Sequence, residues 1–447
     1  MKYLFFFAAM AGIAPMVMLL VCNRLCVRWA VFALLMPLLA FNSTAINFYS
    51  HELYRGTSRG MEISLIYIIA VGLLISLVLR RGWIRWVPGW GARIYLLYFL
   101  ASIPSITNAA NGLFSFFELW KMVMIYLVFL AVYNYLDYSK GDFDIILNAV
   151  AVIIAVNFLT IVRQHFQGYY QVRALFPHQN SLAMFMMMAG LLFFSRSFNY
   201  QEGLKGLLYF GIFLLASATL FRTYSRGAIF CYPLAGMVTM FCSFLKGISP
   251  RKVLLTGMIM VVGLAGMLIF LPRVIQRFLN APESSGQTRK DLARAAVNMM
   301  EDHPFAGVGL NNWGIKINPP YDYSRHRDAR RGQSEDYKDG IVETIYLLVG
   351  AECGIPCLLI LLSWFGFYWL SAFRLMWTLR RSRFFYLPAG IFGALSGAFL
   401  QSTLEWILKQ QINFMWMMVL FAILSYLNCN HRELIRLENI PTQQEPI

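Results

Sequence analysis

Two short polar segments of the chain concentrate arginine in a pattern suited to binding an anion. Arg173 precedes the sequence Phe-Pro-His-Gln-Asn at 176–180, and Arg222 and Arg226 flank Thr-Tyr-Ser at 223–225. The planar guanidinium fork matches phosphate oxygens and keeps its charge even when partly buried. Two such forks at one face of the molecule would hold a diphosphate. The alternative is that each arginine reaches out to the phosphates of a surrounding lipid layer.

Arg226 and Gly227 also stand at the predicted start of a helix. Free backbone N–H groups in the first turn of a helix favour an anion. Glycine allows another group to approach the backbone closely. We therefore expect this helix start to take part in the anion site.

A carboxylate stands at the far end of the longest polar stretch. Glu343 precedes an apolar run that begins at residue 345. A carboxyl group that is partly desolvated there has a raised pKa and makes a suitable general base. An ion pair with one of the arginines is an equally good explanation, and the residue types leave both roles open. His178, His303 and His326 are rival bases, of which His303 is better suited to capping a helix.

Other ionisable residues fall within apolar runs, where charge is costly unless it is paired or exposed at an interface. Glu118 and Lys121 are three positions apart, so one helix face would pair them, and a structural ion pair is the favoured interpretation. Glu405 and Lys409 stand near the end of a run. For that pair, exposure at the membrane interface is a sufficient explanation.

The elements that position these residues follow from the composition. The chain has 447 residues, of which 59% are hydrophobic and 13% charged, whereas soluble proteins carry about a quarter charged residues. The net charge of +16 sits mostly in short strings between apolar runs, which indicates a membrane protein and argues against nucleic-acid binding. Seven cysteines show no disulfide framework. Cys353 and Cys357 are one helical turn apart, but nothing nearby completes a metal site, so no metal and no cofactor are expected.

Apolar runs of about twenty residues predict membrane-spanning helices. The sequence predicts an all-α, polytopic transmembrane bundle of about 12–13 spans, with one long loop domain before the last three. The candidate spans are 3–22, 27–43, 62–79, 92–106, 115–137, 144–165, 181–195, 205–221, 226–245, 252–272, 345–374, 386–403 and 412–428.

Lysine and arginine in short loops mark the cytoplasmic side of a membrane protein. Four basic groups, at 80–93, 246–252, 374–383 and 432–436, fall on one side of the predicted bundle. The opposite, outward side holds the three arginines and the long polar segment. The chain then divides into N-terminal helices at 1–272, an outward loop domain at 273–342, C-terminal helices at 343–430 and a cytoplasmic tail at 431–447.

Inside the loop domain, apolar residues recur at helical spacing from Gln287 to Met300, and His303-Pro304 ends the pattern. We expect an amphipathic helix that lies on the membrane or covers a cavity.

Four short motifs follow one another around the long loop. They are Arg173 with Phe176 to Asn180, Ser225 to Ala228, Glu301 to Leu310, and Tyr346 to Gly354. In this order they resemble the O-antigen ligase and O-antigen polymerase (Wzy-type) superfamily of polytopic membrane glycan transferases. The resemblance implies a metal-independent enzyme of the bacterial inner membrane, with its active site on the periplasmic side. Such an enzyme takes a glycan from undecaprenyl diphosphate and passes it to an acceptor hydroxyl.

The family's arginines that hold the diphosphate match Arg173 and Arg226. Family members commonly have a histidine at the exit of the loop, and Gly354 keeps the family's spacing to that position, which here holds Glu343. A carboxylate can remove a hydroxyl proton as imidazole does, and direct displacement inverts the anomeric centre. Our hypothesis is that Glu343 is the base and Arg173 and Arg226 the clamp. The predicted substrate-binding residues are Arg222, Arg289, His178 and His303.

The resemblance leaves the acceptor open. It is lipid A core for a ligase, another lipid-linked glycan for a polymerase, or a protein hydroxyl for an oligosaccharyltransferase, and the missing family histidine favours a polymerase slightly. The alternative function is a transporter or flippase of lipid-linked glycans, which binds the diphosphate without making bonds. Repeated halves and paired broken helices are not evident in the sequence, which counts against transport. Membrane lipids are the remaining expected partners.

Overall fold

The computed structural model describes residues 2–51, 54, 56–169, 171–279, 283–321, 323 and 340–439. It is built almost wholly from α-helices, as the apolar runs predict. The helices are α1 (Lys2–Ala11), α2 (Ile13–Cys22), α3 (Arg24–Leu35), α4 (Phe41–Thr44), α5 (Leu65–Arg81), α6 (Gly89–Ser102), α7 (Gly112–Ser139), α8 (Phe143–Phe166), α9 (Gln179–Ser197), α10 (Gly203–Arg222), α11 (Arg226–Phe244), α12 (Pro250–Leu279), α13 (Glu283–Asp302), α14 (Trp313–Lys316), α15 (Ile345–Thr378), α16 (Tyr386–Gln401) and α17 (Gln411–Asn439).

Seven helices within the described residues are long and apolar enough to cross a membrane. They are α7, α8, α10, α11, α15, α16 and α17, and each coincides with a predicted span. Helices α3, α5, α6, α9 and α12 lie at five further predicted spans, while α1 and α2 divide the first one. The chain is therefore a polytopic helical bundle, and its composition and helices indicate a multi-pass membrane protein.

A short β-hairpin lies between α4 and α5 and is absent from the all-α prediction. Its strands are β1 (Ile46–Ser50) and β2 (Gly60–Ile63), which run antiparallel with Ile46 opposite Ile63. Strands of five and four residues lie at the lower limit of the length over which an alternating pattern can be read.

The centre of the bundle is α9. Every residue from Ser181 to Ser197 in this helix is buried, as expected for a helix that is apolar all round. Helices α10, α11 and α16 pack around it, and α17 packs along α7.

Three of the four basic groups meet at one end of the bundle, as the sequence predicts. Lys246 donates to the carbonyl oxygen of Ser382 at 2.6 Å, and Arg380 donates to the carbonyl oxygen of Leu245 at 3.1 Å. Glu438 of the last helix accepts a hydrogen bond from Ser382. On the opposite side, Arg222 ends α10 and Arg226 begins α11, and Arg173 lies in the loop between α8 and α9.

The predicted loop helix is α13, which ends at Asp302, directly before His303-Pro304. Its apolar face packs against the first turns of α15, where Met299 and Ala296 share a buried cluster with Leu348 and Ala351. The apolar face is thus covered by protein.

Helix α15 is broken at Gly354, which has a φ of 84° and a ψ of 169°. The segment after α13 fills the break with backbone hydrogen bonds. Val308 N–H donates to the carbonyl oxygen of Ala351 at 2.9 Å, and Ile355 N–H donates to that of Pro304 at 2.8 Å. The loop segment and the first turns of α15 therefore form one unit.

Candidate active site

Glu343 and Arg289 face each other at the end of the bundle opposite the basic groups. Arg289 Nη2 lies 3.5 Å from Glu343 Oε2, and the side chains are 38% and 41% exposed. The packing of α13 on α15 sets this distance. Loss of hydration raises the pKa of Glu343 above its usual range, while the positive charges of Arg289 and Arg226 lower it. Glu343 is therefore an ion-pair partner of Arg289 and has a raised pKa, so the geometry is compatible with either role.

Arg226 is the first residue of α11, as predicted. The side chain of Ser225 caps the helix by accepting a hydrogen bond from Ala228 N–H at 3.5 Å. A Cβ atom at Gly227 would lie 3.2 Å from Glu405 Oε1. The close approach expected at Gly227 is thus made by a carboxylate of the protein itself.

Glu405 is a part of the site that the sequence did not identify. Its side chain accepts hydrogen bonds from Asn180 Nδ2 at 2.9 Å and from Gln401 Nε2 at 3.1 Å. Burial raises the pKa of Glu405 to about 7. The hydrogen bond from Gln401 and the charges of Arg289 and Arg226 lower the pKa, whereas negative charge on Glu343 raises it.

The expectation that Glu405 and Lys409 are exposed at the interface is wrong, because their exposed fractions are 4% and 5%. The hydrogen bond to Asn180 and the backbone of Gly227 enclose Glu405. Glu405 shares an electrostatic neighbourhood with Glu343, Arg226 and Arg289.

Arg173 and His178 lie in the exposed loop before α9. Gln164 holds this loop by accepting from the backbone N–H groups of Arg173 and Ala174 at 3.2 and 3.0 Å. Arg173 Nη1 donates to the carbonyl oxygen of Pro177 at 3.2 Å. His178 Nδ1 accepts from Asn180 N–H at 3.2 Å and so caps α9. Partial burial and the charge of Arg173 lower the pKa of His178, which favours neutral imidazole.

The remaining predicted site residues are Arg222, His303 and His326, of which the structure describes Arg222 and His303. Arg222 is the last residue of α10, and its Nη1 lies 3.4 Å from Tyr224 Oη. Tyr224 stands two residues before Arg226 in the sequence. His303 follows α13, and fourteen positions at 1.5 Å each put it about 20 Å along the helix from Arg289. The structure does not bring His303 to Glu343. His326 lies outside the described residues.

A second group of charges lies deeper in the bundle. The predicted pair is confirmed, since Lys121 Nζ is 2.7 Å from Glu118 Oε2. Lys409 Nζ joins it from the turn before α17, at 3.6 Å from Glu118 Oε1 and 2.9 Å from Glu352 Oε2. All four side chains are buried. This charge network, Glu118–Lys121–Lys409–Glu352, connects α7, α15 and the turn that carries Glu405.

The described part of the chain contains no group of three or more His, Cys, Asp or Glu side chains that would hold a metal ion. The site offers instead an accessible carboxylate, a buried carboxylate and the two guanidinium groups of Arg226 and Arg289. Such a set can take a proton from a hydroxyl group and can stabilise negative charge on a phosphate.

A protein-family model described as O-antigen ligase, Wzy_C, matches residues 211–362. The matched segment contains Arg222, Arg226, Arg289, His303 and Glu343. The resemblance to the O-antigen ligase and polymerase superfamily is therefore confirmed over this segment. No curated protein matches the chain.

Proposed function

We propose that the chain is a membrane glycosyltransferase, because residues 211–362 match a protein-family model described as O-antigen ligase. It moves a glycan from undecaprenyl diphosphate to an acceptor hydroxyl at the periplasmic face of the bacterial inner membrane. The acceptor is a second lipid-linked glycan, lipid A core or a protein. The observation that carries the proposal is the Glu343–Arg289 pair, whose charged atoms are 3.5 Å apart. The positive charge of Arg226 also acts on Glu343 and lowers its pKa.

In this mechanism Glu343 takes the proton of the acceptor hydroxyl as its oxygen attacks the anomeric carbon. The bond from that carbon to the diphosphate oxygen breaks, and its electron pair leaves with the diphosphate. Attack opposite the leaving group inverts the anomeric centre. Arg226 and Arg173 stabilise the departing charge, so the step needs no metal ion, and Arg222 assists them.

Exposure decides between the two carboxylates of the site. Glu343 is 41% exposed and can meet an acceptor, whereas Glu405 is 4% exposed and already binds Asn180 and Gln401. Arg289 opposes the rise in the pKa of Glu343 and keeps more of the base ionised near neutral pH. We therefore assign the base to Glu343 and a structural part to Glu405.

The test is deletion of the gene in its host, followed by comparison of glycans on undecaprenyl diphosphate with those at the cell surface. Single repeats that accumulate on the carrier indicate a polymerase. Full-length polymer stranded on the carrier indicates a ligase or an oligosaccharyltransferase. Unchanged glycans in both pools, in a strain shown to express the gene, would overturn the proposal.

Complementation with single variants tests the base. Glu343→Gln should fail to restore surface glycan, because the amide cannot accept the proton. Glu301→Gln is the matched control, since Glu301 is an exposed glutamate at the end of α13. The purified Glu343→Gln protein should still bind the lipid diphosphate. Normal glycan delivery by Glu343→Gln would favour a transporter, which has no use for a base.

A further inference from the structure

A cavity of about 510 Å³ lies at the end of the bundle opposite the candidate active site. Its walls are the start of α3, the end of α5 and the end of α7 with the turn that follows. Helix α7 begins beside the loop segment, where Asn111 N–H donates to Asn312 Oδ1 at 2.8 Å, and its 28 residues extend about 42 Å. The cavity therefore belongs to the other membrane face.

The charged residues that line the cavity are mostly basic: Arg24, Arg28, Arg81 and Lys140 against Asp142. Two of the arginines are neutralised, because Arg28 Nε lies 2.7 Å from Asp142 Oδ2 and Arg81 Nη1 lies 2.8 Å from an oxygen of Asp137. Within the part of the chain that the structure describes, the side chains of Arg24 and Lys140 have no acidic or hydrogen-bonding partner. The cavity thus keeps two uncompensated positive charges.

An apolar surface adjoins this cavity on α3. Leu25 is 64% exposed and Trp29 is 60% exposed, and the two are four positions apart on one face of the helix. Tryptophan is enriched at membrane interfaces, where its ring sits at the level of the headgroups. Basic pockets between transmembrane helices bind anionic lipid headgroups. A soluble phosphate would match the cations but would have no use for the apolar surface.

We propose that this cavity binds the phosphate headgroup of an anionic phospholipid. Arg24 and Lys140 hold the phosphate oxygens, and the acyl chains lie along Leu25 and Trp29. The bound lipid connects the start of α3 to the turn between α7 and α8. This site is separate from the glycan site and does not depend on the proposed function.

The test is native mass spectrometry of the full chain in detergent, titrated separately with phosphatidylglycerol and phosphatidylcholine. Phosphatidylglycerol should bind more tightly than phosphatidylcholine. The double variant Arg24→Gln/Lys140→Gln should weaken phosphatidylglycerol binding about tenfold or more, since each basic residue near the membrane surface contributes about fivefold. The matched control is Arg374→Gln/Arg381→Gln, which removes the same charge from exposed positions at the same end of the bundle.

Three results would overturn the proposal. Equal weakening in both double variants would indicate general attraction to the basic end of the bundle. Equal binding of the two lipids would remove the anionic preference, and displacement of the lipid by an equal concentration of inorganic phosphate would indicate a soluble anion. If the double variant is not monodisperse, Lys140→Gln alone, on an exposed turn, should weaken binding about fivefold.

Discussion

Asn180 donates a side-chain hydrogen bond of 2.9 Å to Glu405, across 225 positions of sequence. This bond ties the first turn of α9 to the turn after α16, and the same carboxylate lies against the backbone of Gly227. The loop that carries Arg173 and the helix that begins with Arg226 are therefore fastened to one buried group. The relative position of the two proposed clamp arginines depends on Glu405.

Glu405 should make the protein less stable as the pH rises. Its pKa in the folded protein is about 7, above the 4.5 of a free glutamate. Its contribution is thus fully present below pH about 4.5 and is lost as the pH rises through about 7. The difference amounts to about 3 kcal/mol. We expect the melting temperature in detergent to fall between pH 5 and pH 8.

Glu405→Gln should remove most of that fall and should raise the melting temperature at pH 8. The new amide can be accommodated, since Gln401 has a buried side-chain oxygen without a hydrogen-bond partner in the described structure. Glu301→Gln, at an exposed position, should leave the pH dependence unchanged. A Glu405→Gln protein with the same fall as the unmodified chain would show that Glu405 does not titrate in this range.

Arg289→Gln should shift the acidic limb of the kcat/KM profile to higher pH. The charge of Arg289 lowers the pKa of Glu343, so its removal raises that pKa and leaves less of the base ionised at a given pH. The measurement is the initial rate of glycan transfer across pH in reconstituted membranes. Lys290→Gln is the matched control, because Lys290 is the exposed neighbour of Arg289. Equal shifts in the two variants would count against a direct action on Glu343.

Lys409→Met should destabilise the protein by about 3–5 kcal/mol, because it leaves Glu352 as an uncompensated buried charge. The double variant Lys409→Met/Glu352→Gln should recover part of that loss. Thermal unfolding followed by size-exclusion chromatography measures both changes. A double variant less stable than the single one would contradict the assignment of Lys409 to the Glu352 carboxylate.

Gly307→Ala should cost several kcal/mol or prevent folding. Gly307 has a φ of 63°, and a Cβ atom there would lie 2.4 Å from the carbonyl carbon of Glu352. The contact is with the backbone of α15. Neither the loop segment nor α15 can move away without breaking the packing between them. Gly286→Ala in α13 is the control, since a Cβ atom at that position meets no neighbour within 4 Å. The yield of monodisperse protein and its melting temperature give the comparison.

The sequence predicts well what depends on neighbours along the chain. Runs of twenty apolar residues locate the long helices, and the three-residue spacing of Glu118 and Lys121 gives their ion pair. The end of α13 before His303-Pro304 follows from local rules as well.

What depends on helix packing was not predictable from one sequence. Lys409 meets Glu352 across 57 positions, and Asn180 meets Glu405 across 225, because the register of α17 and α9 against their neighbours sets these distances. Judged by local position alone, Glu405 and Lys409 looked like exposed residues at a helix end. The sequence does contain one indication of their burial. Two ionisable residues stand in a strongly apolar region, and placing charge there is costly unless other groups pair with it.

The break at Gly354 also determines how the site responds to the membrane around it. Bilayers of different thickness change the tilt of a spanning helix. The long part of α15 lies after the break, whereas Glu343 and the surface that carries α13 lie before it. Backbone hydrogen bonds from Val308 to Ala351 and from Ile355 to Pro304 bind the loop segment to both parts of α15, so a change in the tilt of the span reaches the surface that carries α13 through hydrogen-bonded backbone.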